Sequence, residues 1–244
     1  MNQEVRVTLR DIEKVLPLKS WWAIIAVLPV VRWLTLAVVN HTRITPNTIT
    51  ISSITLRIFA AGAFTCSDRL ALMAGAVFFY CAYVLDCMDG AVARLRQQSS
   101  EFGRFLDHVG DLFGGIICLA ALGYRQGSLL SPVIAGILVC HLSEYYISYL
   151  TSTIIQIRSS HVPGGFWAKG AGAAYIRYRS LFHSRNVKSF FSFPDYEALI
   201  FFLFPLAGFP SYAFTVCFMV ILVVLMYNIF STFVTIHTGG TRFP

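Results

Sequence analysis

A series of apolar runs, each near the length needed to cross a bilayer, constrains this chain more than any other feature. A helix needs about 20 residues to cross about 30 Å of hydrocarbon. The runs predict six spanning helices, at about 47–65, 70–93, 103–124, 130–155, 196–206 and 213–236. The fifth is short and broken near Pro205, Gly208 and Pro210. Of 244 residues, 56% are hydrophobic and only 13% charged, where a soluble domain averages about 25% charged. The expected fold class is all-α integral membrane: a six-transmembrane-helix bundle preceded by an N-terminal interfacial amphipathic helix. Residues 1–40 would form that cytoplasmic and interfacial segment, and residues 41–244 the membrane domain.

The stretch from Trp21 to Val39 is apolar enough to span, yet it carries Pro29 and Arg32 and begins with Trp21-Trp22. Aromatic pairs favour the bilayer interface, so it is read as lying in the cytoplasmic interface, not as a seventh span. The N-terminal residues are mixed in charge, unlike a cleavable signal peptide, and the first span would act as its own insertion signal. Loop charge sets the orientation. Arg94, Arg96 and Arg104 crowd one short loop, and the loop from Arg158 to Ser192 carries Arg158, Lys169, Arg177, Arg179, Arg185 and Lys188 with no acid. The positive-inside rule puts both loops, and with six spans both termini, on the cytoplasmic side. The net charge of +7 then implies anionic membrane lipids and phosphate-bearing substrates as partners, with no nucleic acid. The six cysteines fall mostly inside apolar runs without metal-site spacing and read as small buried hydrophobes. The Gly-rich stretch 162–172 lacks the order of a phosphate-binding loop and reads as a flexible connector or an element that touches the acceptor.

Chemistry concentrates between residues 86 and 111. Asp86 and Asp89 are three apart at the end of the second span, and Asp107 and Asp111 are four apart at the start of the third, so each pair shares a helix face. A short basic loop makes the two helices antiparallel, and all four carboxylates can converge just inside the membrane. Four acids at that depth repel strongly and need compensation. Arg94 supplies too little, and all-oxygen ligation favours Mg²⁺ or Mn²⁺, with two ions suited to clamping a phosphoryl group. Gly90, Ala93 and Gly103 remove bulk beside the carboxylates, and Arg94 can pair bidentately with a phosphate oxygen.

The stretch matches the pattern DxxDGxxARx8GxxxDxxxD at every specified position. It resembles the signature of the CDP-alcohol phosphotransferase family (CDP-alcohol phosphatidyltransferases). Thr45-Pro46-Asn47-Thr48-Ile49-Thr50 resembles the PNxxT opening of that family's first span. The resemblance implies an enzyme of phospholipid biosynthesis that transfers a phospho-alcohol group from a CDP-alcohol donor to an acceptor hydroxyl, releasing CMP. It implies Asp86, Asp89, Asp107 and Asp111 as metal ligands and Asp111 as general base. Gly90, Arg94 and Gly103 would line the CDP site, bordered by Asn47 and Thr50. It also implies a homodimer. Two donor classes stay open: CDP-diacylglycerol with a polar alcohol, or a CDP-aminoalcohol with diacylglycerol. His108 resembles the aspartate-histidine pair of the aminoalcohol enzymes, although this chain is much shorter.

Glu144 and Arg57, both inside predicted spans, are read either as acceptor contacts or as helix–helix hydrogen bonds. Competing functions are a cation transporter with an acidic site and a non-catalytic membrane scaffold. A transporter would spread its acids across the membrane depth or show inverted repeats. Here the acids cluster at one end around an arginine, which suits a diphosphate.

Overall fold

A computed structural model describes residues 6–16, 19–127, 129–157 and 171–237. The chain divides into two compact units, one of Met1–Pro17, Trp22–Leu130 and Glu197–Ser211, the other of Leu18–Trp21, Ser131–Tyr196 and Tyr212–Pro244. Nine helical elements follow in chain order among the described residues. They are α1 (Leu9–Val15), α2 (Ala23–His41), α3 (Pro46–Thr65), α4 (Arg69–Leu95), α5 (Glu101–Arg125), α6 (Pro132–Ile157), α7 (Ala171–His183), α8 (193–206, with a π turn at Leu199–Leu203) and α9 (Ala213–His237).

Among the described residues, six helices are long and apolar enough to cross a membrane: Ala23–His41, Pro46–Thr65, Arg69–Leu95, Glu101–Arg125, Pro132–Thr151 and Ala213–Val234. The fold class is all-α and membrane-type, as the sequence predicts. The set of long helices differs by one exchange. α2 enters because the π-helical start Ala23–Val27 runs on into Leu28–His41, with Pro29 at the junction between the two, where it does not break the helix. Its Arg32 pairs with Glu13. α8 falls short because the backbone turns at Gly208, φ 95°, and Phe209, φ 50°.

In the first unit, α3 packs against both α4 and α5. Each helix start is capped. Thr45, with Pro46 in the first turn, accepts from the Thr48 amide at 3.3 Å, Asp68 from Ala71 at 3.2 Å, and Ser100 from Gly103 at 3.0 Å. Just past the end of α4, the φ of 55° at Gln97 lets the Gln98 amide reach the Ala93 carbonyl at 2.8 Å. Two arginines staple the links. Arg96 donates to the carbonyls of Ile44 (2.6 Å), Val38 (2.9 Å) and Thr42 (2.8 Å), and Arg125 donates to those of Ser67 (2.8 Å) and Asp68 (3.2 Å). Arg96 keeps the positive-inside charge that the sequence reading gives it, and it also serves carbonyls at and after the end of α2, of which that of Val38 already accepts the Thr42 amide.

The α3–α5 contact depends on glycine. A Cβ on Gly110 would lie 2.6 Å from Ile54 Cγ1, and one on Gly103 would lie 3.0 Å from Asn47 Oδ1. Residue numbers rise together along this contact, so α3 and α5 run parallel. α4 runs antiparallel to α3: Thr50 faces Asp89 near one end, and Phe64 faces Gly75 near the other. A core of Val27, Val31, Ile49, Val84, Met88 and Val92 ties α2 to α3 and α4.

In the second unit α6 and α9 run parallel, with Gly136 opposite Phe218, Glu144 bonded to Asn228, and Thr151 3.0 Å from Thr232. Small residues and interhelical hydrogen bonds are the usual means of helix association in lipid. The long loop predicted between Arg158 and Ser192 needs correction, since residues 171–183 form α7. Ala171, Ala173, Ala174 and Leu181 are strong helix formers, a signal that the run of basic residues obscures. The Gly-rich stretch, with Arg158 and Lys169, lies outside the described residues except for its last two positions.

Candidate active site

The end of α4 and the start of α5 bring three aspartates together. Asp86, Asp107 and Asp111 each offer one carboxylate oxygen, and these oxygens lie within 4.8 Å of one another. α3 adds the cation. Arg57 is 5% exposed; one Nη pairs with Asp111 and the other lies 3.3 Å from Asp86. The carboxylates thus share a buried guanidinium contributed by a third helix.

Asp89 is turned elsewhere. It is buried and accepts from the Thr50 hydroxyl at 2.5 Å. Three of the four aspartates therefore share the cluster, while the fourth is held beside it from α3. That bond fixes Thr50 next to the motif, where the PNxxT resemblance implies it. Asn47 lies against Gly103, as noted above. Arg94 is exposed, and its guanidinium folds back over Gly90, where a Cβ would stand 3.3 Å from both Nη atoms. His108 is exposed.

The donor set fits a hard divalent cation. All three converging ligands are carboxylate oxygens, the chemistry that Mg²⁺ and Mn²⁺ prefer. Arg57 offsets only part of their charge, and like charges this close repel strongly in a low dielectric.

Arg57 is the residue whose place the sequence reading missed. Read there as either an acceptor contact or a helix–helix hydrogen bond, it makes interhelical bonds, to the clustered carboxylates of α4 and α5. A basic residue in mid-span was the available signal. Its partners are remote in sequence, and nothing local points to them. Glu144 takes the interhelical alternative: Asn228 donates to it, and Ser148 donates at 3.3 Å. All six cysteines are free, three of them buried.

The acidic cluster lies where α4 ends and α5 begins, with Arg94 on the adjoining turn. Residues 43–239 match the CDP-alcohol phosphatidyltransferase family, and the chain belongs to that family. It is 31% identical over 113 residues to a phosphatidylinositol phosphate synthase of Mycobacterium marinum, covering 44% of this chain and 46% of that protein. It is 30% identical over 134 residues to a CDP-diacylglycerol–glycerol-3-phosphate 3-phosphatidyltransferase of Pseudomonas fluorescens, covering 54% of this chain and 67% of that protein. The match thus spans just under half the length of the mycobacterial relative. The crystal structure of Mycobacterium tuberculosis phosphatidylinositol phosphate synthase with CDP-DAG bound shares the fold. Its TM-score is 0.53 at 19% identity, over 88% of this chain and 93% of that one.

Proposed function

We propose that this chain transfers the phosphatidyl group of CDP-diacylglycerol to the hydroxyl of a polar alcohol and releases CMP. The observation that carries the reading is the convergence of Asp86, Asp107 and Asp111 at helix ends that bear the family signature. The relatives favour this donor over a CDP-aminoalcohol. One solved relative holds CDP-DAG, and the Pseudomonas relative is named for CDP-diacylglycerol and glycerol 3-phosphate.

Asp86, Asp89, Asp107 and Asp111 would hold two Mg²⁺ or Mn²⁺ ions. Bound there, such ions neutralise the diphosphate and the charge that develops on the leaving CMP. Charge then balances, with four carboxylates and a diphosphate diester set against two divalent ions, Arg57 and Arg94. Arg94 binds a phosphate oxygen through its planar fork. Gly90 and Gly103 leave room for the nucleotide, and Asn47 and Thr50 border it. Asp111 takes the proton of the acceptor hydroxyl. The hydroxyl oxygen forms its bond to the β-phosphorus as the bond to the bridging oxygen breaks, and CMP departs with that electron pair.

The test is CMP release by purified protein in vesicles containing CDP-diacylglycerol and Mn²⁺. The acceptor panel comprises glycerol 3-phosphate, inositol phosphate and unphosphorylated alcohols. Release only with a CDP-aminoalcohol and diacylglycerol would replace the donor. No release with any pair would sink the enzymatic reading.

The same reading places the site on the cytoplasmic face, keeps α2 in that interface and makes the chain a homodimer. Arg94, Arg96 and Arg104 at the α4–α5 link carry the orientation. A cysteine introduced as Gln97→Cys should react with an impermeant maleimide from the cytoplasmic side only. Native Cys66, exposed in the α3–α4 link, should react from the opposite side only. The reverse pattern would invert the site's access to CDP-alcohol.

A further inference from the structure

Arg57 combines three features that no signature residue shares. It is buried in α3, its two Nη groups meet carboxylates on two different helices, and α5 gives way to admit it. A Cβ on Gly114 would lie 2.4 Å from Arg57 Cδ, so the arginine's stem occupies the space a side chain would take. Helical side chains tilt toward their own N-terminus. An arginine this far along α3 therefore reaches back toward the end of the helix where Thr50 and Asp89 meet.

We infer that Arg57 is a positioning residue, a clamp that holds one oxygen each of Asp86 and Asp111 and so orients both carboxylates for divalent-ion binding and transfer. The inference rests on the phosphotransfer reading above. A guanidinium suits this role because its rigid fork presents two donors at fixed separation, which a lysine ammonium cannot do. The clamp is also a cation in direct competition with the metal for the same carboxylates. Its two effects on the site have opposite signs: it weakens ion binding by charge, and it speeds transfer by geometry.

That opposition gives the test. Full-length Arg57→Gln and Arg57→Lys proteins are titrated with Mn²⁺, following loss of the free-ion EPR signal, and assayed for CMP release at saturating Mn²⁺. Arg57→Gln should bind Mn²⁺ at least about threefold more tightly, since a competing positive charge has gone. It should also transfer at least about tenfold more slowly with little change in donor KM, since small displacements of reacting groups are expensive. Arg57→Lys keeps the charge, so Mn²⁺ affinity should stay near wild type while transfer remains at least about tenfold slow. A merely structural arginine would weaken metal binding and transfer together. Arg57→Gln binding Mn²⁺ no more tightly than wild type, or Arg57→Lys transferring at the wild-type rate, would overturn the clamp. If Arg57→Gln does not fold, Arg57→Lys decides. A wild-type protein that releases no CMP refutes the phosphotransfer reading, while the Mn²⁺ titration still decides the clamp.

Discussion

Chelation with EDTA is expected to stop CMP release, and added Mg²⁺ or Mn²⁺ to restore it. The three clustered carboxylates have Arg57 as a shared cation. A dianionic diphosphate cannot approach that group without more positive charge. If bound ions supply several kcal/mol toward the transition state, their loss lowers the rate by at least about 10³-fold. Asp86→Asn should imitate chelation, because it removes an anionic oxygen from the cluster and one of the two carboxylates paired with Arg57. The measurement is CMP release against free Mn²⁺ for wild type and variant. Full activity in chelator would refute the metal model, and an Asp86→Asn enzyme with unchanged Mn²⁺ dependence would remove Asp86 from the ligand set.

Asp111→Asn should separate proton transfer from metal binding. Asp111 lies within the carboxylate cluster and is also paired with Arg57, so it serves two purposes if it is the base. Asparagine keeps the size and a carbonyl oxygen that ligates weakly, but it cannot take the acceptor's proton. At saturating Mn²⁺, donor binding should largely survive while transfer falls by about 10²–10⁴-fold, the usual scale for losing general-base help. Donor binding and single-turnover CMP release, measured side by side, check this. Turnover within a few-fold of wild type would mean that Asp111 is not the base. Donor binding lost as completely as in Asp86→Asn would make it a ligand only, with exposed His108 next to be tested.

Much of this site was legible because helix geometry makes spacing visible. Acids three or four apart must share a face, and a short link must turn the chain back, so the meeting of Asp86 with Asp107 and Asp111 followed from residue numbers. The diversion of Asp89 to Thr50 did not. It depends on which of two nearby partners a short side chain reaches, and that is set by the register between α3 and α4. Arg57 was visible as a misplaced charge, but its partners were not, since they come from helices 29 and 54 positions away. Gly110 and Gly114 lie four apart and admit the close contact with α3, but their spacing does not say which residues of α3 fill it. Among the elements, α2 was the hard case: Pro29, just past its π-helical start, looks like a breaker and is not, whereas the short α8 and its end were legible from Pro205, Gly208 and Pro210. Arg96 and Arg125 read as loop charge because nothing local reveals the carbonyls they satisfy.

If the aspartate cluster performs a transfer, both products must form together. The most direct measurement is the stoichiometry of products from the purified chain in vesicles with CDP-diacylglycerol, Mn²⁺ and a radiolabelled acceptor found by the panel. CMP and acceptor-derived phosphodiester should form in equal amounts from wild type, and neither above background from Asp86→Asn. CMP without a matching phosphodiester, or product formation undiminished in Asp86→Asn, would contradict transfer by this cluster.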